Sequence, residues 1–340
     1  MKIILYILFI ISILQCNAQT ANINHLNFKK ADSIALVYKG EKLDNLPILT
    51  HNLTSNLSSD TEKFRAIYKW VCTNIENDYN LYYKNSFKRG KYKDNPNKLL
   101  EWNNGFRRTL FKTLLKKKRT ICTGYAFIVK QLAELANIDC VIVNGYGKTS
   151  STSKTDLSIP NHSWNAVKLD NKWYLCDATW ASGVQNPETM NFEFHYNDGF
   201  FLSPPELFAI NHLPENPKWL LTQKTPPEFV TFLNNPVLYN DAYTYLTDHV
   251  SPKKMHHEIQ LNKEINFKYS LKKQILKENV KLLIDNGSSS KKITPKSVSI
   301  KNNILSFTQP FHKKGFYDVH LFLDNYIIAT YTVKVQKAAI

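Results

Sequence analysis

A thiol, an imidazole and a carboxylate stand in that order in three short segments of this chain. Cys122 lies in Thr120-Ile121-Cys122-Thr123-Gly124-Tyr125, His162 in Asn161-His162-Ser163-Trp164-Asn165, and Asp177 in Trp173-Tyr174-Leu175-Cys176-Asp177-Ala178-Thr179-Trp180. Such a set supports nucleophilic catalysis: a thiolate attacks an acyl carbon, an imidazole carries the proton, and a carboxylate fixes the ring's tautomer. Free cysteine is mostly protonated near neutral pH, so the thiol needs help to ionise. A helix N-terminus offers unpaired amides that favour negative charge, and a neighbouring imidazolium adds to them. Tyr125, Ile128, Val129, Leu132, Leu135 and Ala136 recur at helical spacing after Cys122, which predicts that the thiol heads a helix. Taken singly, each residue has an ordinary structural role: a core cysteine, a histidine packed beside tryptophan, an aspartate capping a turn. Their joint order and contexts point to chemistry.

The other two groups need a second device to meet the thiol. Asp170-Asn171 separates two alternating stretches, Trp164 to Leu169 and Lys172 to Cys176, which is a hairpin signal. Its first strand begins with His162 and its second ends at Asp177, so both side chains come to one sheet position. Cys140 to Tyr146 reads as a buried strand, and Lys148 to Pro160 as a Ser/Thr-rich loop. Upstream, Ser59-Asp60-Thr61-Glu62 forms a capping box ahead of Phe64, Ile67, Tyr68, Val71 and Ile75, predicting a helix that ends near Asn77-Asp78. Residues 79–119, rich in Tyr, Lys and Asn, read as an irregular surface excursion closing in a short helix around Leu110 to Leu115. Eight prolines make 183–240 an extended tail to this core. Beyond a linker near 240–256, alternation in Ile265 to Leu271, Val280 to Ile284 and Tyr317 to Leu323, then an Asp324-Asn325 turn, predicts a small β-sandwich over 256–340.

Composition narrows the functional classes. The chain has 340 residues, is 43% hydrophobic and carries a formal charge of +16. The lysines are spread along its whole length with no accompanying nucleic-acid motif, so nucleic acid is not an expected partner. Met1-Lys2, an apolar run from Ile3 to Leu14 and a small residue at Ala18 have the form of a secretory signal, with cleavage expected after Ala18. That run is short for a membrane span, so no transmembrane segment is expected after cleavage, and lipidation at Cys16 ranks below cleavage because Gln15 stands where a small residue is usual. The expected location is therefore exported, periplasmic or extracellular. Residues 19–58 read as an N-terminal helical extension, and 59–240 as the core with its Pro-rich tail. The remaining histidines, including His212, show no paired ligand spacing, and no Gly-rich phosphate loop is present, so neither metal nor cofactor is expected. Cys72 and Cys140 read as core residues. Cys176 sits next to Asp177 on a strand and so faces the opposite side.

These segments together resemble the transglutaminase-like superfamily, whose fold is related to papain-like thiol proteases, and within it the kyphoscoliosis-peptidase type of exported bacterial protein. Cys122-Thr123-Gly124-Tyr125-Ala126, Asn161 to Val167 and Trp173 to Trp180 carry the likeness. Arg65 to Val71 resembles the family's leading helix, and Phe201 to Phe208 with His212-Leu213-Pro214-Glu215 resembles the segment that follows the core. The resemblance implies an α+β fold: a transglutaminase-like core with a C-terminal β-sandwich. It implies Cys122 as nucleophile, His162 as base and acid, and Asp177 as the orienting carboxylate. Trp164 and Trp180 would wall the cleft and Asn165 would support the His162 strand. The implied reaction is acyl transfer on a protein or peptide substrate, such as a cell-envelope peptide, with hydrolysis ranked ahead of crosslinking. The alternative is a catalytically silent binding or scaffold protein of the envelope. Papain-like enzymes place a glutamine a short interval before the cysteine to complete the oxyanion hole, and no glutamine stands there in this chain.

Overall fold

The computed structural model describes residues 27–150, 152, 156–222 and 227–337. The expected signal segment, 1–18, lies outside the described residues. The fold is α+β, with a helix-rich core and a β-rich C-terminal half.

The core is organised around the helix Asp60–Asn74. It starts with the expected capping box: Ser59 Oγ accepts from the Glu62 amide, and the Glu62 carboxylate accepts from the Ser59 amide. Phe64, Ile67, Trp70 and Val71 bury its inner face. The helices Lys29–Val37 and Leu46–Thr54 pack against it. Arg65, only 5% exposed, fastens this arrangement. Its Nε and Nη2 hold both oxygens of Asp32 at 2.6 and 2.9 Å, and its Nη1 pairs with Asp198, 133 residues away in sequence.

The helix Cys122–Leu135 lies against an antiparallel sheet whose strand order is Lys172–Cys176, His162–Leu169, Cys140–Gly147, His212–Pro214. Asp170 and Asn171 both adopt left-handed φ values, 49° and 60°, as a tight hairpin turn requires. The resulting register pairs Asn165 with Cys176. Asn165 Nδ2 donates to the carbonyls of Ala126 at 2.9 Å and Val141 at 3.3 Å, which ties the helix to the sheet beneath the thiol.

Three expectations change. Residues 79–119 are no irregular excursion. They form the helices Tyr79–Tyr92 and Pro96–Lys117, capped by Asp78, which accepts from Leu81, and by Asn95, which accepts from Lys98 ahead of Pro96. These helices bury only Asn85, Leu110 and Leu114, so they carry little of the apolar periodicity by which helices are read. The Pro-rich tail is more than extended loop: its segment His212–Pro214 pairs with Gly145 to Gly147 and supplies an edge strand of the core sheet. The segment expected as a linker near 240–256 holds Leu246–Ser251, an edge strand of the next sheet.

In the C-terminal half, one sheet runs Leu246–Ser251, Glu264–Leu271, Ile304–Pro310, Lys296–Lys301. The second runs His256–Gln260, Tyr326–Gln336, Gly315–Leu323, Val280–Asp285, Ser290–Ile293. Phe267, Tyr269 and Phe307 from the first and Leu282, Leu321 and Tyr331 from the second are buried. Among the described residues no helix is long and apolar enough to cross a membrane.

Candidate active site

Cys122 is the first residue of its helix and follows the extended Ile121, so its amide belongs to the turn whose N–H groups have no carbonyl behind them. The residue is buried, with 6% of its surface exposed. His162 opens its strand, as expected, and its Nε2 lies 2.7 Å from Asp177 Oδ2. Nε2 being engaged, Nδ1 is the ring nitrogen left for Cys122, which lines the same cavity as His162.

The Asp177 carboxylate has four polar partners. Oδ1 accepts from the amides of Thr179 at 2.9 Å and Trp180 at 3.1 Å, which caps the short helix Ala178–Ser182. Oδ2 faces His162 and also His212, whose Nε2 is 3.0 Å away. The capping role and the orienting role, which the sequence presents as alternatives, thus fall to two oxygens of one carboxylate. Tyr68 adds a hydroxyl bond to the Asp177 carbonyl at 2.9 Å.

His212 was not among the expected site residues. It sits in a three-residue strand after a Pro-rich stretch, too short to show a period. It is fully buried and stacked on Phe208 with ring centroids 3.7 Å apart. Its legible signal is the segment His212-Leu213-Pro214-Glu215, which resembles the stretch that follows the core but assigns the histidine no role. His162, Asp177 and His212 bring their donor atoms within 4.8 Å of one another, a grouping that metal ions also use. Here each of those atoms is taken up by the hydrogen bonds just described.

Trp164 and Trp180 stand beside the histidines. Trp180 stacks on His162 at 4.8 Å and packs tilted against His212 at 4.2 Å, and Trp164 meets His212 edge-on at 5.1 Å. They exclude water from the imidazole–carboxylate contacts and lie outside the lining of the open cavity. That cavity, of about 480 Å³, reaches Cys122 and His162. The two unexpected helices line it with Tyr82, Arg89 and Phe106, and Pro160 also lines it.

The electrostatics follow from burial and pairing. Burial pushes the Cys122 thiol up, but the hydrogen bond and charge of His162 and the Ser163 amide outweigh it, and the net shift is downward. Burial alone would lower His162; the Asp177 charge and hydrogen bond, with Cys122, raise it to about 10. Burial raises Asp177, but the two histidines hold its carboxyl well below the usual range. Burial dominates His212 and lowers it to about 4. Cys72, Cys140 and Cys176 are free and buried, and burial pushes all three thiols up, Cys140 to about 12.

These shifts fix a pH dependence. An unfolded histidine protonates near 6.5, whereas folded His212 stays neutral down to about 4, and buried His249 in the C-terminal half to about 3. Between these limits the unfolded chain binds protons that the folded chain refuses, so stability falls as the pH drops. Urea denaturation at pH 6.5, 5.5 and 4.5 is expected to show a loss that steepens below pH 6.5 towards a limit of about 1.4 kcal/mol per pH unit for each ring. The His212→Asn protein should have the shallower slope. An unchanged slope would mean that His212 is already charged in the folded state.

The topology defines an α+β core carrying a thiol, two imidazoles and a carboxylate at one end of its sheet. Residues 48–178 match the family model of the transglutaminase-like superfamily, which makes this segment a transglutaminase-like domain. His212 lies beyond the matched segment. The chain is 30% identical over 197 residues to the kyphoscoliosis peptidase of Mus musculus, covering 57% of this chain and 27% of the relative. It is 33% identical over 201 residues to the kyphoscoliosis peptidase of Homo sapiens, covering 58% and 27%. Similarity extends to the Lim and transglutaminase domain protein ltd-1 of Caenorhabditis elegans, 24% identical over 231 residues, covering 64% and 29%. The matched stretch thus spans little more than a quarter of the length of these relatives.

Proposed function

We propose that this protein is a thiol acyl-transfer enzyme acting on peptide or amide bonds, with hydrolysis as the main outcome. The observation that carries the proposal is the contact of His162 Nε2 with Asp177 at 2.7 Å, with Cys122 and His162 lining one open cavity. Cys122 sulfur bonds to the acyl carbon, and the amine leaves with the proton that His162 holds, giving a thioester. Water then attacks the thioester carbon, its proton passes to His162, and the thiolate departs. The Cys122 amide, in the open first turn of its helix, donates to the oxyanion. Asp177 keeps Nε2 protonated throughout and so presents Nδ1 to the thiol. Two relatives that bear the name peptidase support the hydrolytic direction. The N-terminal sequence supports action outside the cytoplasm, on protein or envelope peptide.

Iodoacetamide labelling followed by mass spectrometry tests this. Cys122 is expected to react fastest of the four described cysteines, since the other three thiols are pushed up by burial. An unassisted thiol is about 3% ionised at pH 7, so His162→Ala should slow the labelling by up to about 30-fold. Equal Cys122 rates in folded and denatured protein would sink the proposal.

A further inference from the structure

Arg89 projects from the helix Tyr79–Tyr92 into the wall of the cavity that holds Cys122 and His162. Its Nε is buried and has no hydrogen-bond partner. Among the described residues no carboxylate lies within ion-pair distance of its guanidinium. Arg65, the other largely buried arginine of this core, has both of its faces filled by Asp32 and Asp198. Burial accordingly pushes Arg89 below the ordinary arginine range, and the fields of Cys122 and Glu215 oppose that only in part. A buried guanidinium N–H without a partner is costly, and the planar fork of an arginine matches a carboxylate in two parallel bonds. The cavity lining holds a second cation, Arg107, and one carboxylate, Glu215, so its charge balance favours an anion. Arg107 is exposed and bonded to Asn104 Oδ1 at 2.7 Å, whereas Arg89 carries the buried N–H without a partner.

We propose that Arg89 is the subsite for a carboxylate on the acyl donor, so that the bond cleaved lies beside an acidic side chain or a chain-terminal carboxylate. The proposal rests on the reading of Cys122 as nucleophile. A neutral donor would leave the fork unfilled, and a cationic one would be repelled.

Iodoacetate and iodoacetamide test it without a known substrate. Both alkylate sulfur with loss of iodide, and they differ in a carboxylate against a carboxamide. The quantity to measure is the ratio of their rates at Cys122, by quenched mass spectrometry. In the folded protein the iodoacetate-to-iodoacetamide ratio is expected to exceed that of the denatured chain by about ten- to hundredfold, the effect of one charge-assisted contact. Arg89→Gln should return the ratio to the denatured value, and Arg89→Lys, which keeps the charge and loses the fork, should fall between. A folded wild-type ratio equal to the denatured one overturns the subsite whatever the variants do, as does an unchanged ratio in folded Arg89→Gln. In both of those cases rapid iodoacetamide labelling leaves the thiol reading standing. If neither reagent marks Cys122 faster than in the denatured chain, the thiol reading itself falls and takes the subsite with it.

Discussion

Asparagine in place of Asp177 is expected to slow thioester formation by about 10³- to 10⁴-fold with the fold retained. The asparagine oxygen can still accept from the amides of Thr179 and Trp180, so the cap on Ala178–Ser182 survives. The other half of the side chain changes from an acceptor to an NH₂ donor, and it faces two Nε2 atoms. His162 can meet that donor only by turning Nε2 into an acceptor, which moves its proton to Nδ1. A ring protonated at Nδ1 cannot take the Cys122 proton. The loss of the carboxylate charge also removes the leading influence that raises His162 towards 10. The measurement is single-turnover acylation by an activated peptide ester, with circular dichroism and urea denaturation on the same sample. Acylation within tenfold of wild type in a folded Asp177→Asn protein would remove Asp177 from the mechanism.

Arg65→Met should destabilise the protein by about 3 kcal/mol, towards the low end of the cost of breaking a buried ion pair. The loss is moderated because Asp32 and Asp198 reach solvent, with side chains 32% and 58% exposed, and can hydrate once released. What goes is a two-pronged carboxylate contact, a second carboxylate, and the cation packed at 5.1 and 4.9 Å from the rings of Phe28 and Phe201. Methionine fills much of the volume, so the deficit reports the charge contacts. Urea denaturation followed by tryptophan fluorescence reads the change, and Arg65→Lys should recover part of it. A shift below about 1 kcal/mol would show the network to be no more than a surface pair.

The hairpin and the Cys122 helix were legible because they obey strong local rules. Asp170-Asn171 tolerate left-handed backbone, the flanking strands alternate, and the helix shows an unbroken apolar face from Tyr125 to Leu132. The relation of His162 to Asp177 followed from that register. The cavity wall was not legible. The helices Tyr79–Tyr92 and Pro96–Lys117 bury almost nothing, so their sequences lack the period that burial imposes, and only the caps at Asp78 and Asn95 betray them. His212 was hidden for another reason. Its strand gains its place from pairing with Gly145 to Gly147, a tertiary contact with no local counterpart. Gly145 itself marks that close approach, since a Cβ there would meet the Leu213 carbonyl at 2.2 Å.

The double service of Asp177 bears on how related chains are to be read. Because one of its oxygens holds a helix end while the other holds the imidazoles, a descendant that lost its thiol would still be penalised for losing this aspartate. Its persistence through a lineage therefore says little about whether turnover persists. Cys122, which caps nothing and bonds no backbone carbonyl in the interior, is the residue whose replacement would mark the change of occupation.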